Sequence, residues 1–334
     1  MQVALSENDP HYTLEYSALL TPLFEPNTPP NERHPLDDRV EESRVDVELD
    51  LREPVSKLLR LGTQHAHVKA ENTAGAASLV QGDLELKEYI KWLSVLWRIY
   101  DALELGLQEY SCHPVLAPTY DPTRLARAPA LADDIAYLLT LLPASATSNA
   151  LTTFTDAASP EPANPLPPFP LLDFLFPIFN APPPPLNRYL RHIRSLASSS
   201  ITAPGLLAHA YVQYLGDLSG GQVIGARVRE SYDLGESNRG TKFYEFDLQQ
   251  GVDTADHESI VNLRKRLIEF KDWYRRGMDE GVGEDQKLKA DMVEEANLAF
   301  AFNTDLFSII NVSEKPNLAL QVNTQTPADN KDFL

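Results

Sequence analysis

The chain has 334 residues, with 29 Lys plus Arg against 48 Asp plus Glu, a formal net charge of −19 and 26 prolines. Such an acidic balance excludes nucleic acid as a partner, because phosphate binding depends on clustered Lys and Arg that release counterions. The single cysteine, Cys112, forms no internal disulfide, no charged-then-apolar signal segment opens the chain, and no stretch reaches the ~18 apolar residues needed to cross a bilayer, so a reducing cytoplasmic compartment is expected.

From the N-terminus, residues 1–46 are rich in proline and acidic groups with weak periodicity and read as a mostly disordered leader. PVSKLLRLGTQHAHVKAENTAGAA follows at 54–77, with a proline near a helix start and leucines at 58, 59 and 61. His65 and His67 stand about 200° apart around such a helix, so they face different ways. Glu71 lies one turn beyond His67 on the same face, and Arg60 two turns before it on the same stripe. Cys112 and His113 come next; a lone Cys–His pair in a loop does not make a metal site. From 143 to 185 the composition shifts to Pro, Ala, Ser and Thr, with PPPP at 182–185, and reads as a non-helical insertion between core helices. Its PLLDFLFPIF patch is expected to cover the core, with docking to a partner or membrane as the alternative.

His209 to Gln222 read HAYVQYLGDLSGGQ. Leu207, Ala210, Tyr211, Tyr214, Leu215 and Leu218 follow the spacing of one buried helix stripe. Three glycines, 216, 220 and 221, interrupt it, and each mid-helix glycine costs about 1 kcal/mol relative to alanine. Asp217, Gly220 and Gly221 stand at i, i+3 and i+4, so a carboxylate and two bare stretches of backbone share one face next to Tyr214. A planar ligand lying on that face is one reading; a hinge or a close helix crossing is the other, and spacing alone leaves both open. His209 reads as a surface or capping residue. Further on, KDWYRR at 271–276 sets Lys271 and Arg275 at i, i+4, EEANLAFAFNTDLF at 294–307 is helical in period, and 313–334 is a polar, flexible tail.

YLGDLSGGQ resembles the distal-helix signature of the haem oxygenases, and HVKAEN resembles their proximal motif; the resemblance covers roughly 50–140 and 186–312. It implies an all-α fold: a multi-helix bundle over 47–312 with haem b sandwiched between a proximal helix and a kinked distal helix. It makes His67, chosen over His65 by motif register, the axial iron ligand, leaving the opposite face of the ring open for dioxygen. Glu71 would orient that imidazole. Arg60, Lys271 and Arg275 would hold the propionates, the arginines through a planar fork and the lysine as a point charge. Tyr211 and Phe300 would line the pocket, and Tyr100, in LWRIYDALE at 96–104, would join a distal hydrogen-bond network with Asn303. Asp217 would hold an ordered water chain that delivers protons, without ligating iron, while Gly216, Gly220 and Gly221 bring the backbone close.

The activity implied is that of a monooxygenase that opens haem with O2 to biliverdin, carbon monoxide and ferrous iron. Its electrons would come from NADPH through a flavoprotein reductase, whose docking charge complementarity would speed. A monomer is expected. Many eukaryotic members end in an apolar anchor, whereas this chain ends in QVNTQTPADNKDFL, so either the protein is naturally soluble or its anchor is missing from this sequence, and peripheral association with a membrane such as the endoplasmic reticulum is open to it. Two positions depart from the family pattern: Gln64, where relatives often carry a basic residue, and Gln213, where mammalian relatives have arginine. Both bear on haem seating and proton delivery, so the biliverdin isomer stays open. A non-catalytic haem carrier or sensor on the same fold is the alternative, against which stands the retained Asp217. A di-iron carboxylate bundle needs Glu-x-x-His pairs, and the chain has none.

Overall fold

A computed structural model describes residues 49–143, 166–235, 237–248 and 260–311, and among these it is helical with no β-strand. The leader at 1–46, residues 144–165 of the insertion and the tail at 313–334 lie outside the described residues. The helices are α1 (Val55–Gly62), α2 (Gln64–Glu71), α3 (Ala74–Gln81), α4 (Leu86–Glu109), α5 (Pro122–Leu125), α6 (Ala128–Thr140), α7 (Phe176–Asn180), α8 (Pro184–Leu196), α9 (Gly205–Ser231), α10 (Ile260–Val282) and α11 (Gln286–Leu306).

The helical run read at 54–77 is three short helices, and threonines make the breaks. Thr63 turns its hydroxyl back onto the Leu59 carbonyl at 2.7 Å with φ −108° and ψ 2°, a local bond that competes with helix continuation. Thr73 accepts a hydrogen bond from the Ala76 amide at 3.2 Å and so caps a fresh helix, α3. The bend at Thr63 separates α2, which carries His67, from the more deeply buried α1.

α4 runs through the centre of the molecule. Ile90, Leu93, Val95, Ile99, Tyr100 and Leu103 on it are fully buried, and each apolar side chain withdrawn from water contributes roughly 1.5–3 kcal/mol. It packs against α6, α8 and α9, while α11 packs against α1, α2, α8 and α9 and so joins the two halves of the site.

The proline-rich stretch departs from its non-helical reading. Asp173–Leu175 form a 3-10 turn that continues into α7, and α8 begins inside the PPPP run at Pro184. Proline is tolerated in a first helical turn because its missing N–H would have no partner there anyway. The PLLDFLFPIF segment lies on the core: Leu171, Leu172, Leu175, Ile178 and Phe179 are buried, and Phe169 meets Trp97 edge-on at 5.5 Å. Arg98 of α4 fastens it, donating to the Ile178 carbonyl at 2.8 Å beneath the Phe179 ring. Burial and the nearby Arg194 lower the pKa of that arginine to about 10.

Asp134 of α6 holds the turn that follows α9. Its carboxylate accepts the Lys242 amide at 3.0 Å and the Phe243 amide at 2.8 Å, which delivers Tyr244 against α9.

Candidate functional site

α9 is a single helix from Gly205 to Ser231, and the four glycines of its interior divide into two pairs. A Cβ on Gly221 would stand 3.3 Å from the Tyr244 ring, and one on Gly225 would stand 3.0 Å from Tyr244 Cβ. Tyr244 cannot give way easily: its hydroxyl bonds that of Tyr89 at 2.9 Å, and its carbonyl accepts from Gln222 Nε2 at 2.7 Å. This pair therefore serves a close crossing. At Gly216 and Gly220, one turn apart, a Cβ would meet nothing within 4 Å. Here bare backbone faces open space, the arrangement that a flat ligand requires.

Asp217 sits beside that bare face. Tyr100, fully buried on α4, donates its hydroxyl hydrogen bond to Asp217 Oδ2. Burial drives the Asp217 carboxyl up to about 7, outweighing the lowering effects of the Tyr100 bond and the Arg127 charge. A half-buried acid of that pKa can hold or release a proton near neutral pH.

On α2, His67 keeps 39% of its side chain exposed, and its Nδ1 lies 3.3 Å from Glu71 Oε2. Nε2 is the nitrogen turned away from Glu71, and the ring meets Phe300 of α11 edge-on at 5.6 Å. His65 and Gln64 are exposed on α2, His65 on a face turned away from His67. Tyr211 of α9 pairs with Thr63 and feels the charges of Arg275 and Arg60, which brings both arginines to the junction of α1, α2 and α9. Arg275 is held by Asp272 at 2.9 Å. Lys271, one turn before it on α10, has no hydrogen-bond or ion-pair partner among the described residues; burial, then Arg275, lowers its pKa to about 8.

His209 is not at the surface and caps nothing. It is fully buried, with Nε2 2.8 Å from Glu295 Oε1 and Nδ1 3.1 Å from the Tyr189 hydroxyl. The reason is register: it lies on the α9 face that packs against α8 and α11. Tyr189 also accepts from Gln213 Nε2 at 3.1 Å, and Gln213 donates to Asn303 Oδ1 at 3.0 Å. Asn303 and Tyr100, read as one network, thus lie in two: no hydrogen bond among the described residues joins the Tyr100–Asp217 pair to the Asn303–Gln213–Tyr189 chain. Tyr189, His192, Glu295, Thr63 and Arg127 are residues of these networks that sequence reasoning missed. Each is recruited by a helix distant in sequence, and no local spacing marks it.

A cavity of about 600 Å³ opens between α4, α6, α9 and α10, lined by Trp97, Glu104, Leu116, Tyr214 and Tyr274 among others. Neither His67 nor Gly216 nor Gly220 lines it. Glu104 in its wall accepts the Arg127 amide at 2.6 Å and the Ala128 amide at 3.2 Å, capping α6. Among the described residues no helix is long and apolar enough to cross a membrane.

The family model described as "Heme oxygenase" matches residues 53–161 and 180–309. Heme oxygenase 2 of Rattus norvegicus is 30% identical over 255 residues, which are 76% of this chain and 64% of that protein. The heme oxygenase of Pyropia yezoensis is 30% identical over 256 residues, 76% of this chain and 85% of that one. The chain thus spans just under two thirds of the length of the mammalian proteins it matches. Among solved structures, the heme oxygenase of Leptospira interrogans aligns with TM-score 0.56 at 26% identity, covering 77% of this chain and 99% of that one. Heme oxygenase-2 of Synechocystis, in complex with heme and NO, aligns with TM-score 0.56 at 25% identity, covering 77% and 85%. With the family model matching more than half of its residues, the chain belongs to the haem oxygenase family.

Proposed function

We propose that the chain degrades haem, consuming O2 and electrons passed from NADPH through a flavoprotein reductase, and yields biliverdin, carbon monoxide and ferrous iron. The observation that carries this reading is the occurrence together of an imidazole whose Nε2 has no hydrogen-bond partner among the described residues and bare backbone at Gly216 and Gly220, beside a protonatable Asp217. Bound haem would supply the iron on which O2 is activated and the ring that is opened.

The residues then have separate tasks. Glu71, holding Nδ1 of His67, fixes the ring and raises its basicity, so that Nε2 is presented as the axial ligand. Phe300 walls the imidazole, and Tyr211 lines the cleft. Lys271, half-buried and without an ion-pair partner among the described residues, together with Arg275 and Arg60, offers the positive charge that two carboxylates need. Gly216 and Gly220 let a planar ring approach the main chain, with Gly221 keeping the helix seated on Tyr244. Tyr100 aims the Asp217 carboxyl, whose pKa of about 7 suits proton delivery through ordered water at neutral pH. Residues 47–312 would form the catalytic unit.

An aerobic absorbance time course of the protein with one equivalent of haemin, NADPH and a flavoprotein reductase, with catalase present, tests this. Loss of the Soret band with a rising biliverdin band and released carbon monoxide is expected. A stable histidine-type spectrum that never bleaches would overturn the enzymatic reading and leave a haem carrier or sensor.

A further inference from the structure

We propose that His192, His209 and Glu295 form a second site, apart from the haem cleft, that binds one divalent transition-metal ion of the zinc class. The three side chains come from three helices, α8, α9 and α11, and converge on a single point: His192 Nε2 lies 2.5 Å and His209 Nε2 2.8 Å from the same oxygen, Glu295 Oε1. All three donor atoms fall within 4.8 Å of one another.

The donor set matches the chemistry. Two imidazoles and one carboxylate are the ligands of a three-residue zinc site with an open fourth position, at bonds of about 2.0–2.2 Å. Calcium and magnesium, which demand oxygen donors, are disfavoured by the two nitrogens. Tetrahedral donors at such bond lengths stand about 3.3 Å apart, so seating an ion asks the His192 imidazole to withdraw from Oε1 by about 0.8 Å and that of His209 by about 0.5 Å. The helices need not move, because rotation about side-chain bonds covers that distance.

Seating an ion would move the His209 proton from Nε2, which now faces the Glu295 carboxylate, to Nδ1. A ligating imidazole gives its Nε2 to the ion and carries its proton on Nδ1, where an acceptor fixes the ring. For His209 that acceptor is the Tyr189 hydroxyl, 3.1 Å from Nδ1 and itself steadied by Gln213. His209 has no exposed surface, which excludes competing water from one side, whereas His192 keeps 26% of its side chain exposed and leaves a way in for the ion and for a fourth, water ligand. Without metal, burial raises the pKa of Glu295, but its hydrogen bonds with the two imidazoles outweigh this and lower it to about 2. A divalent ion would balance that charge and clamp α8, α9 and α11 together two turns ahead of Gly216.

The test is titration of the full chain, freed of metal, with zinc followed by calorimetry and with cobalt followed by visible absorption. One equivalent should bind, cobalt should give the d–d bands of a low-coordinate site, and a large excess of magnesium should not compete. His192→Ala and Glu295→Gln should each weaken zinc binding at least tenfold. His67→Ala should leave it unchanged, which separates this site from the haem ligand and its Glu71 neighbour. His192 is partly exposed, so its truncation tests the site even where Glu295→Gln disturbs the packing. Absence of stoichiometric zinc binding, or binding indifferent to both substitutions, would overturn the proposal.

Discussion

Replacing Asp217 by asparagine should stabilise the fold at alkaline pH while abolishing turnover. The side chain is half-buried behind Tyr100, and burial raises its carboxyl from 3.8 to about 7. An acid whose folded pKa is raised favours folding in its protonated form; that contribution is complete below about 3.8 and is lost as pH climbs through 7. At 1.36 kcal/mol for each pH unit between those values, holding the ionised carboxylate costs about 4 kcal/mol by pH 8, and partial access of solvent from the cleft trims this to roughly 2–4 kcal/mol. Asparagine keeps an oxygen for the Tyr100 hydroxyl and never ionises. Urea denaturation of both proteins, free of haem, should give stabilities within about 0.5 kcal/mol of each other at pH 4, with the variant ahead by roughly 2–4 kcal/mol at pH 8. Comparing the two proteins at each pH cancels every other titrating group. A difference that does not change with pH, or a wild-type protein that is the more stable at pH 8, would refute the argument. The same variant should bind haem and form no biliverdin.

His67→Ala should weaken haem binding at least tenfold and lose the histidine-type spectrum, with added imidazole restoring it; an unchanged spectrum would move ligation to another residue. Gly220→Ala should raise the melting temperature of the haem-free protein through about 1 kcal/mol of helix propensity, since its Cβ meets nothing within 4 Å, yet should lower haem affinity. Gly225→Ala should do the opposite to stability, because its Cβ would press on Tyr244 at 3.0 Å; melts that rank the two the other way would sink the division of the glycines. For Lys271, whose pKa burial lowers to about 8, a bound carboxylate should raise it again, so haem affinity should fall as pH rises above 8. In Lys271→Met the affinity should be weaker throughout and flat over that range; a slope that persists would assign the effect elsewhere.

Much of the site was legible because its signals are local. Helical period over 207–218, the i, i+4 relation of His67 to Glu71 and of Lys271 to Arg275, and glycines set against the helix pattern are properties of short consecutive stretches, and the backbone geometry of a helix converts them directly into shared faces. The motif resemblance added the roles of Tyr100 and Asn303, which no spacing implies, since Tyr100 reaches Asp217 across 117 positions and Asn303 reaches Gln213 across 90.

What packing alone decided lies in the contacts between distant helices. Sequence left a planar ligand and a close crossing as rivals for the α9 glycines; the close crossing is made at Gly221 and Gly225, because Tyr244 is brought under them by a turn that Asp134 anchors across 108 and 109 positions, while Gly216 and Gly220 face open space. The run at 54–77 broke at Thr63 and Thr73, whose hydroxyls bond the backbone in ways that hydrophobic period does not register. His209 reads like any polar residue on a helix until α8 and α11 close over it and supply Tyr189 and Glu295. By itself the sequence determined which segments are helical and which side chains share a helix face, since both follow from the repeat of the backbone. Only the tertiary structure decided which faces meet, and with them the partners, the burial and hence the protonation of Asp217, Lys271 and His209.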